Sequence, residues 1–155
     1  MPITDIRIAN IADIGAIRDL TRAAYARWVP LIGREPRPMT ADYEAAILRD
    51  RFDLIYLDGV LLGLIQTVRE DGQTLIENVA VAPTAQGQGV GRRLMAWAED
   101  IARAAGHARI RLYTNQRFTP NIRLYQRLGY GIDREEDVGV GIIVHMSKRL
   151  SGREV

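Results

Sequence analysis

APTAQGQGVGRR, residues 82–93, carries glycine at positions 87, 89 and 91. Glycine at that density marks backbone that turns where a Cβ would clash, or that lets something come close. An apolar strand end, Val79-Ala80-Val81, precedes the stretch. Behind it, in RRLMAWAEDIARAAG (92–106), Leu94, Ala98, Ile101 and Ala105 recur at helical spacing, and Gly106 suits the stop. The loop therefore leads from a strand into the N-terminus of an amphipathic helix. Such a terminus offers unpaired N–H groups and the positive end of the helix dipole, which suits phosphate. Arg92 and Arg93 in the first turn can add bidentate pairing. The spacing predicts a site for a pyrophosphate-sized anion; the alternative is a tight strand-to-helix turn with no ligand.

Two common phosphate loops are excluded by position. A P-loop requires Gly-Lys followed by Ser or Thr, whereas Gly91 is followed by Arg92-Arg93. A dinucleotide fingerprint requires glycine at the sixth place from Gly87, where Arg92 stands. It also requires an acidic residue about 20 positions on, yet residues 106–117 hold neither Asp nor Glu.

Upstream of the loop, FDLIYLDGVLLGLIQTV (52–68) holds two apolar runs joined at Asp58-Gly59, a strong hairpin signal. EDGQ (70–73) then turns into TLIENVAV (74–81), completing an antiparallel meander. An opening strand is expected over 3–9 from Ile3, Ile6 and Ile8. Asn10 or Asp13 can cap a helix whose stripe is Ile14, Ile17, Leu20, Ala24 and Trp28. VPLIGREPRPMT (29–40) is expected to hold no regular element, and Thr40 to cap a helix through about Arg49. Downstream, ARIRLYT (108–114) reads as a strand, and Thr119-Pro120 opens a helix closed by Gly129. Residues 130–150 read as two strands around an acidic turn. The order β-α-α-β-β-β-α-β-α-β-β describes one mixed α/β domain over residues 1–155.

The apolar fraction of 47% and charged fraction of 26% are those of a soluble globular protein. No apolar run approaches the roughly 20 residues of a membrane span, and Met1 to Asp5 lack a secretory leader. The chain has no cysteine, which excludes disulfides, thiolate metal sites and cysteine nucleophiles and fits the cytoplasm. Net charge is only +2, and twenty arginines with one lysine, Lys148, are spread along the chain. No concentrated basic stripe points to nucleic acid. The only serines, Ser147 and Ser151, sit in no nucleophile elbow. His107 and His145 lack metal spacing, so no metal is expected; either can be a surface or packed residue, or a proton shuttle.

Val79-Ala80-Val81, Pro83 and then Gln86-Gly87-Gln88-Gly89-Val90-Gly91-Arg92 resemble the acetyl-CoA loop of the GCN5-related N-acetyltransferases, with its pattern Gln/Arg-x-x-Gly-x-Gly/Ala. NIRLYQRLGY (121–130), about 35 residues on, is similar to that family's second signature. The resemblance implies a central, mostly antiparallel, splayed mixed sheet of six to seven strands flanked by about four helices. It implies acetyl-CoA as acetyl donor and direct transfer to a primary amine of a small molecule or peptide. The alternative is a non-catalytic acyl-CoA sensor or interaction module of the same fold. A homodimer is possible by analogy.

Residue by residue, the resemblance assigns the backbone of Val79, Ala80 and Val81 to the pantetheine arm, almost as an added strand. Residues Gln86, Gly87, Gln88, Gly89, Val90, Gly91 and Arg92 go to the pyrophosphate. Tyr125 falls where the family places the proton donor to the departing thiolate; the alternative is a core aromatic. Glu77 shares a strand face with Val79 and Val81 and can serve as base, unless it merely pairs with an arginine. The family's asparagine seven residues before the tyrosine is here Phe118, which leaves Asn115 or Asn121, with Asn121 preferred. Tyr25, Trp28 and Arg34, with Arg37 and Tyr43, lie where the acceptor cleft is expected. Lacking a thiol or activated serine, the chain favours direct transfer over an acyl-enzyme.

Overall fold

The computed structural model describes residues 4–151. The strands are β1 (Thr4–Ile8), β2 (Arg51–Leu57), β3 (Val60–Glu70), β4 (Gln73–Val81), β5 (Arg109–Asn115), β6 (Gly131–Asp137) and β7 (Ile142–Arg149), with helices between β1 and β2, β4 and β5, and β5 and β6. These are α1 (Ile14–Tyr25), α2 (Val29–Ile32), α3 (Arg37–Thr40), α4 (Tyr43–Arg49), α5 (Val90–Ala104) and α6 (Thr119–Arg127). The strands follow the order β1-β2-β3-β4-β5-β7-β6. The β4/β5 pairing is parallel, whereas β1/β2, β2/β3, β5/β7 and β6/β7 are antiparallel. This is the mixed α/β sheet the sequence implies. Among the described residues no helix is long and apolar enough to cross a membrane. Ile3, the expected start of the first strand, lies outside the described residues.

The described chain divides into two compact units. One runs through Thr67 and resumes over Asn78–Ala96; the other takes Val68–Glu77 and resumes at Trp97. In the first unit the apolar stripe of α1 (Ile17, Leu20, Ala24) meets Tyr43 and Ala46 of α4, and Phe52, Leu54, Leu64 and Ala80 of the strands. In the second, Ile110, Leu112, Val144 and Met146 are buried in alternation along β5 and β7, with Ala98 and Ala102 of α5.

Local chemistry explains where elements begin and end. Asn10 and Asp13 cap the single 3-10 turn Ile11–Asp13 ahead of α1, with Asn10 Oδ1 accepting the Ala12 N–H and Asp13 Oδ2 the Asn10 N–H, both at 2.9 Å. Asp13, at the cap position of α1 itself, makes no side-chain cap bond there. The expectation of no regular structure over 29–40 is corrected, since α2 and α3 are single turns within it. Pro30 and Pro38 fall in first turns, where a missing N–H has no helical partner to lose. Gly33 closes α2 at φ 73°. Asp42 caps α4 rather than Thr40, accepting the Ala45 N–H at 3.1 Å. Phe118, not Thr119, is the cap residue of α6, which puts Thr119 and Pro120 inside its first turn. Asp58 (φ 49°) and Gly59 (φ 77°) are both left-handed, as a two-residue hairpin requires. The acidic residues expected in the last turn belong to β6 itself, and the turn is Val138-Gly139-Val140-Gly141.

Gly63 of β3 lets the loop helix seat. A Cβ there would lie 2.9 Å from the Ala80 carbonyl, 3.1 Å from Leu94 Cδ1 and 3.2 Å from Val90 Cγ1. Gly63→Ala is expected to destabilise the fold by about 1–3 kcal/mol through overpacking, read as a lowered Tm. An unchanged Tm would show that the backbone yields freely.

Candidate active site

In the first unit the Ala82 N–H donates to the Leu62 carbonyl of β3 at 2.8 Å. Backbone groups alternate in direction along a strand, so those of Val79 and Val81 turn to the edge away from β3. The described β4/β5 ladder runs only from Gln73↔Arg109 to Ile76↔Leu112, short of the outward edge at Val79 and Val81. Two side chains reach its carbonyls. Tyr25 Oη donates to the buried Asn78 Oδ1 at 2.8 Å and lies 3.3 Å from the Val79 carbonyl. Gln86 Nε2 donates to the Val81 carbonyl at 3.2 Å, while its Oε1 accepts from Arg27 Nη1 at 2.9 Å.

The loop beyond is shaped by backbone conformation. Gly87 (φ 78°) and Gly89 (φ 83°) are left-handed, and a Cβ on either would meet nothing within 4 Å. Conformation rather than crowding therefore calls for glycine there. Gly91 lies inside α5 outside the left-handed region, and a Cβ there would touch Val81 Cγ2 at an ordinary 3.8 Å. The Gly89 carbonyl accepts the first helical bond of α5, from the Arg93 N–H at 3.1 Å. Gly89 is thus the cap residue, and it has no side chain to occupy the amides of Val90, Gly91 and Arg92. A serine or aspartate cap would take one of them. Arg92 and Arg93 are exposed, and neither forms an ion pair with a described carboxylate. Gln88 Nε2 braces the loop by donating to the Thr84 carbonyl at 3.3 Å. The two glutamines thus brace the loop with their side chains.

The acceptor-side candidates of this unit separate by environment. Trp28 is 8% exposed, and the Arg27 guanidinium stacks over its ring at 4.5 Å, so a substrate would meet little of it. Tyr43 is buried and donates to the Pro38 carbonyl at 2.5 Å. Arg34 differs: its Nε is buried and makes no hydrogen bond to a described residue.

In the second unit Glu77 accepts a hydrogen bond from Tyr113 Oη at its Oε1. Tyr113 follows Leu112, the residue in register with Ile76. Tyr125 is buried in α6, its ring edge-on to Tyr130 with centroids 6.3 Å apart. Burial pushes its phenol up to about 12. Its hydroxyl makes no hydrogen bond to a described residue, yet is not one of the buried polar atoms lacking a partner. Tyr130 is raised as well, by burial first and by Glu99 second. No described hydrogen bond joins Tyr125 to Glu77. Asn115 is committed locally, its Oδ1 accepting the Arg117 N–H at 2.9 Å, whereas the partly buried Asn121 side chain makes no such bond. His107 Nδ1 meets Thr74 Oγ1 at 2.8 Å and His145 Nε2 meets Glu136 Oε1 at 2.8 Å. Among the described residues no group of three or more His, Asp or Glu is placed to hold a metal ion.

Val79 and Val81 thus turn backbone groups away from β3, and the loop that follows leaves the start of α5 without a side-chain cap. Residues 16–130 match the Acetyltransferase (GNAT) family. The chain belongs to that family. The GNAT chain is 30% identical to the aminoalkylphosphonate N-acetyltransferase of Salmonella typhimurium, covering 84% of this chain and 86% of that one. It is 38% identical to the IAA acetyltransferase of Azospirillum brasilense in a match that spans only 44% of each chain, under half of that relative's length. The PaiA N-acetyltransferase of Thermoplasma acidophilum, solved in complex with coenzyme A, superposes with TM-score 0.76 at 18% identity, covering 96% of this chain and 99% of that one. At that identity the likeness concerns the fold. This GNAT protein is accordingly an N-acetyltransferase.

Sequence reasoning passed over Tyr113 and Asn78. Both alternate with residues it did weigh, but their importance appears only when β4 lies beside β5 and α1.

Proposed function

We propose that the protein transfers the acetyl group of acetyl-CoA directly to a primary amine of a small molecule or peptide. The observation that carries this reading is the cap of α5. Gly89 occupies it without a side chain, so the first-turn amides and Arg92 are available to the diphosphate. The outward N–H groups of Val79 and Val81, whose carbonyls Tyr25 and Gln86 engage, supply the pantetheine contacts, and the side chain of Asn121 is the remaining cofactor contact. Glu77 takes a proton from the acceptor, because an amine of pKa near 10.4 is almost wholly protonated at neutral pH. Glu77 passes that proton to solvent. The neutral amine nitrogen attacks the thioester carbonyl, the N–C bond forms, the C–S bond breaks, and the nitrogen sheds its second proton to solvent as the neutral amide forms. The departing sulfur takes its proton from Tyr125, which recovers one from solvent.

Arg34 anchors an anionic group of the acceptor. Its buried Nε without a partner supports this, and the Salmonella relative is named for an amine that bears a phosphonate. Tyr25 and Trp28 then shape the acceptor side by packing rather than by contact.

Thermal unfolding with coenzyme A and acetyl-CoA tests the donor. A ligand at 100 times its Kd adds about 2.7 kcal/mol, which raises the Tm of a domain of this size by roughly 5–10 °C. No shift with either at saturation would overturn the reading. A panel of amines with and without a carboxylate or phosphonate, followed by thiol release, then identifies the acceptor class.

A further inference from the structure

We propose that Tyr113 is the positioning residue of the acceptor base, holding one oxygen of the Glu77 carboxylate so that the other faces the amine. The inference rests on the reading of Glu77 given above. A carboxylate on a half-buried strand face in an arginine-rich chain is expected to collapse onto a guanidinium, and a base so paired would hold protons weakly. The second unit prevents this. Arg111, two residues before Tyr113 on β5, is the cation of that strand face nearest to Tyr113 in sequence. It is already clamped by Glu70, with Nε to Oε1 at 2.7 Å and Nη2 to Oε2 at 2.8 Å. The same pairing holds the Glu70 carboxyl below its ordinary range. Arg111 still attracts Glu77 through space, but the hydrogen bond that Glu77 receives comes from a neutral phenol. Tyr113 Oη donates to Oε1, and Oε2 accepts no hydrogen bond from a described residue. A neutral donor fixes the direction of the carboxylate without cancelling its charge, leaving one oxygen for a proton.

The phenol is itself held. Tyr113 stands directly opposite His145 in the β5/β7 register, with ring centroids 6.1 Å apart. His145 Nε2 is tied to Glu136 at 2.8 Å. Glu77, Tyr113, His145 and Glu136 thus form a row across β4, β5, β7 and β6, each member limiting the freedom of the next. Tyr113 and His145 meet as directly opposite cross-strand neighbours, and His145 and Glu136 as diagonal ones, since Glu136 stands opposite Ile143.

A cycle of Tyr113→Phe, Glu77→Gln and the double variant tests the proposal. Tyr113→Phe is expected to lower kcat about 10-fold with the KM of acetyl-CoA within twofold. The double variant should be no slower than Glu77→Gln alone, because the phenol acts through the carboxylate. The deficit of Tyr113→Phe should also shrink toward nothing with acceptor amines that are already neutral at the assay pH. Independent, multiplying losses in the double variant, or a wild-type kcat in Tyr113→Phe, would overturn it. A chain that binds coenzyme A while Glu77→Gln alone costs no turnover would instead remove the base role proposed for Glu77. The two failures are therefore told apart.

Discussion

Tyr125→Phe is expected to lower kcat about 100-fold, at the lower end of the range for loss of a positioned acid, with acetyl-CoA affinity within twofold. The ring is packed against Tyr130, and phenylalanine keeps that packing, so fold and donor site should persist. The magnitude has a physical limit. Burial raises the phenol to about 12, whereas a thiol lies near 8.5. Outright transfer of the proton to a free thiolate would be uphill by about 5 kcal/mol. Tyr125 therefore acts while the C–S bond is breaking, donating to sulfur as charge develops and releasing its proton only as the acceptor's proton departs. The pH dependence follows with its sign. Because the folded value lies above the ordinary 10, Tyr125 stays protonated through the assay range and imposes no alkaline limb on kcat below about pH 11. The stability linked to it is complete below pH 10 and is lost as pH rises from there through about 12, since the unfolded chain releases that proton first. Single-turnover and steady-state rates with coenzyme A binding by calorimetry check all three points. A kcat within threefold of wild type would remove Tyr125 from the chemistry.

Much of this architecture was legible in the chain because its signals are local. Asp58-Gly59 demands left-handed backbone, the α5 stripe repeats at helical spacing, and Gly87 and Gly89 announce a loop no other residue forms easily. What stayed hidden depends on partners distant in sequence. The prolines of 29–40 read as breakers, but Pro30 and Pro38 fall in first turns that tolerate them. Nothing near Glu77 in sequence reveals that Arg111 is spoken for by Glu70 and that Tyr113 takes the carboxylate. Likewise nothing near Gln86 in sequence reveals that Arg27 and the Val81 carbonyl engage both ends of its amide. Gly91 shows the opposite case. It belongs to the same motif as its neighbours, yet its backbone is helical and the motif alone hides that difference.

Gly89→Asp should produce the largest loss of donor affinity, about 100-fold in the Kd of acetyl-CoA. The residue caps α5, its carbonyl accepting the Arg93 N–H at 3.1 Å. Its site is exposed, and a Cβ added there would meet no atom within 4 Å. Aspartate tolerates left-handed backbone better than most residues, so the fold should survive with a small loss of Tm. Its carboxylate would compete for the helix amides and repel the diphosphate. Two unit charges about 5 Å apart at an effective dielectric near 20 repel by about 3 kcal/mol, which is the 100-fold expected. Salt separates this from simple strain. Screening should restore part of the affinity of Gly89→Asp as ionic strength rises, whereas Gly89→Ala, strained at φ 83° but neutral, should show a smaller loss with no such recovery. Gly91→Ala supplies the contrast. Placed in the first turn of α5 with helical backbone, it should hold the Tm of the free protein, so any fall in acetyl-CoA affinity there reports the ligand's approach to the backbone rather than the fold. Equal affinities for Gly89→Asp and wild type at low salt would mean that the diphosphate does not bind at the start of α5, and the donor site would have to be sought elsewhere on the chain.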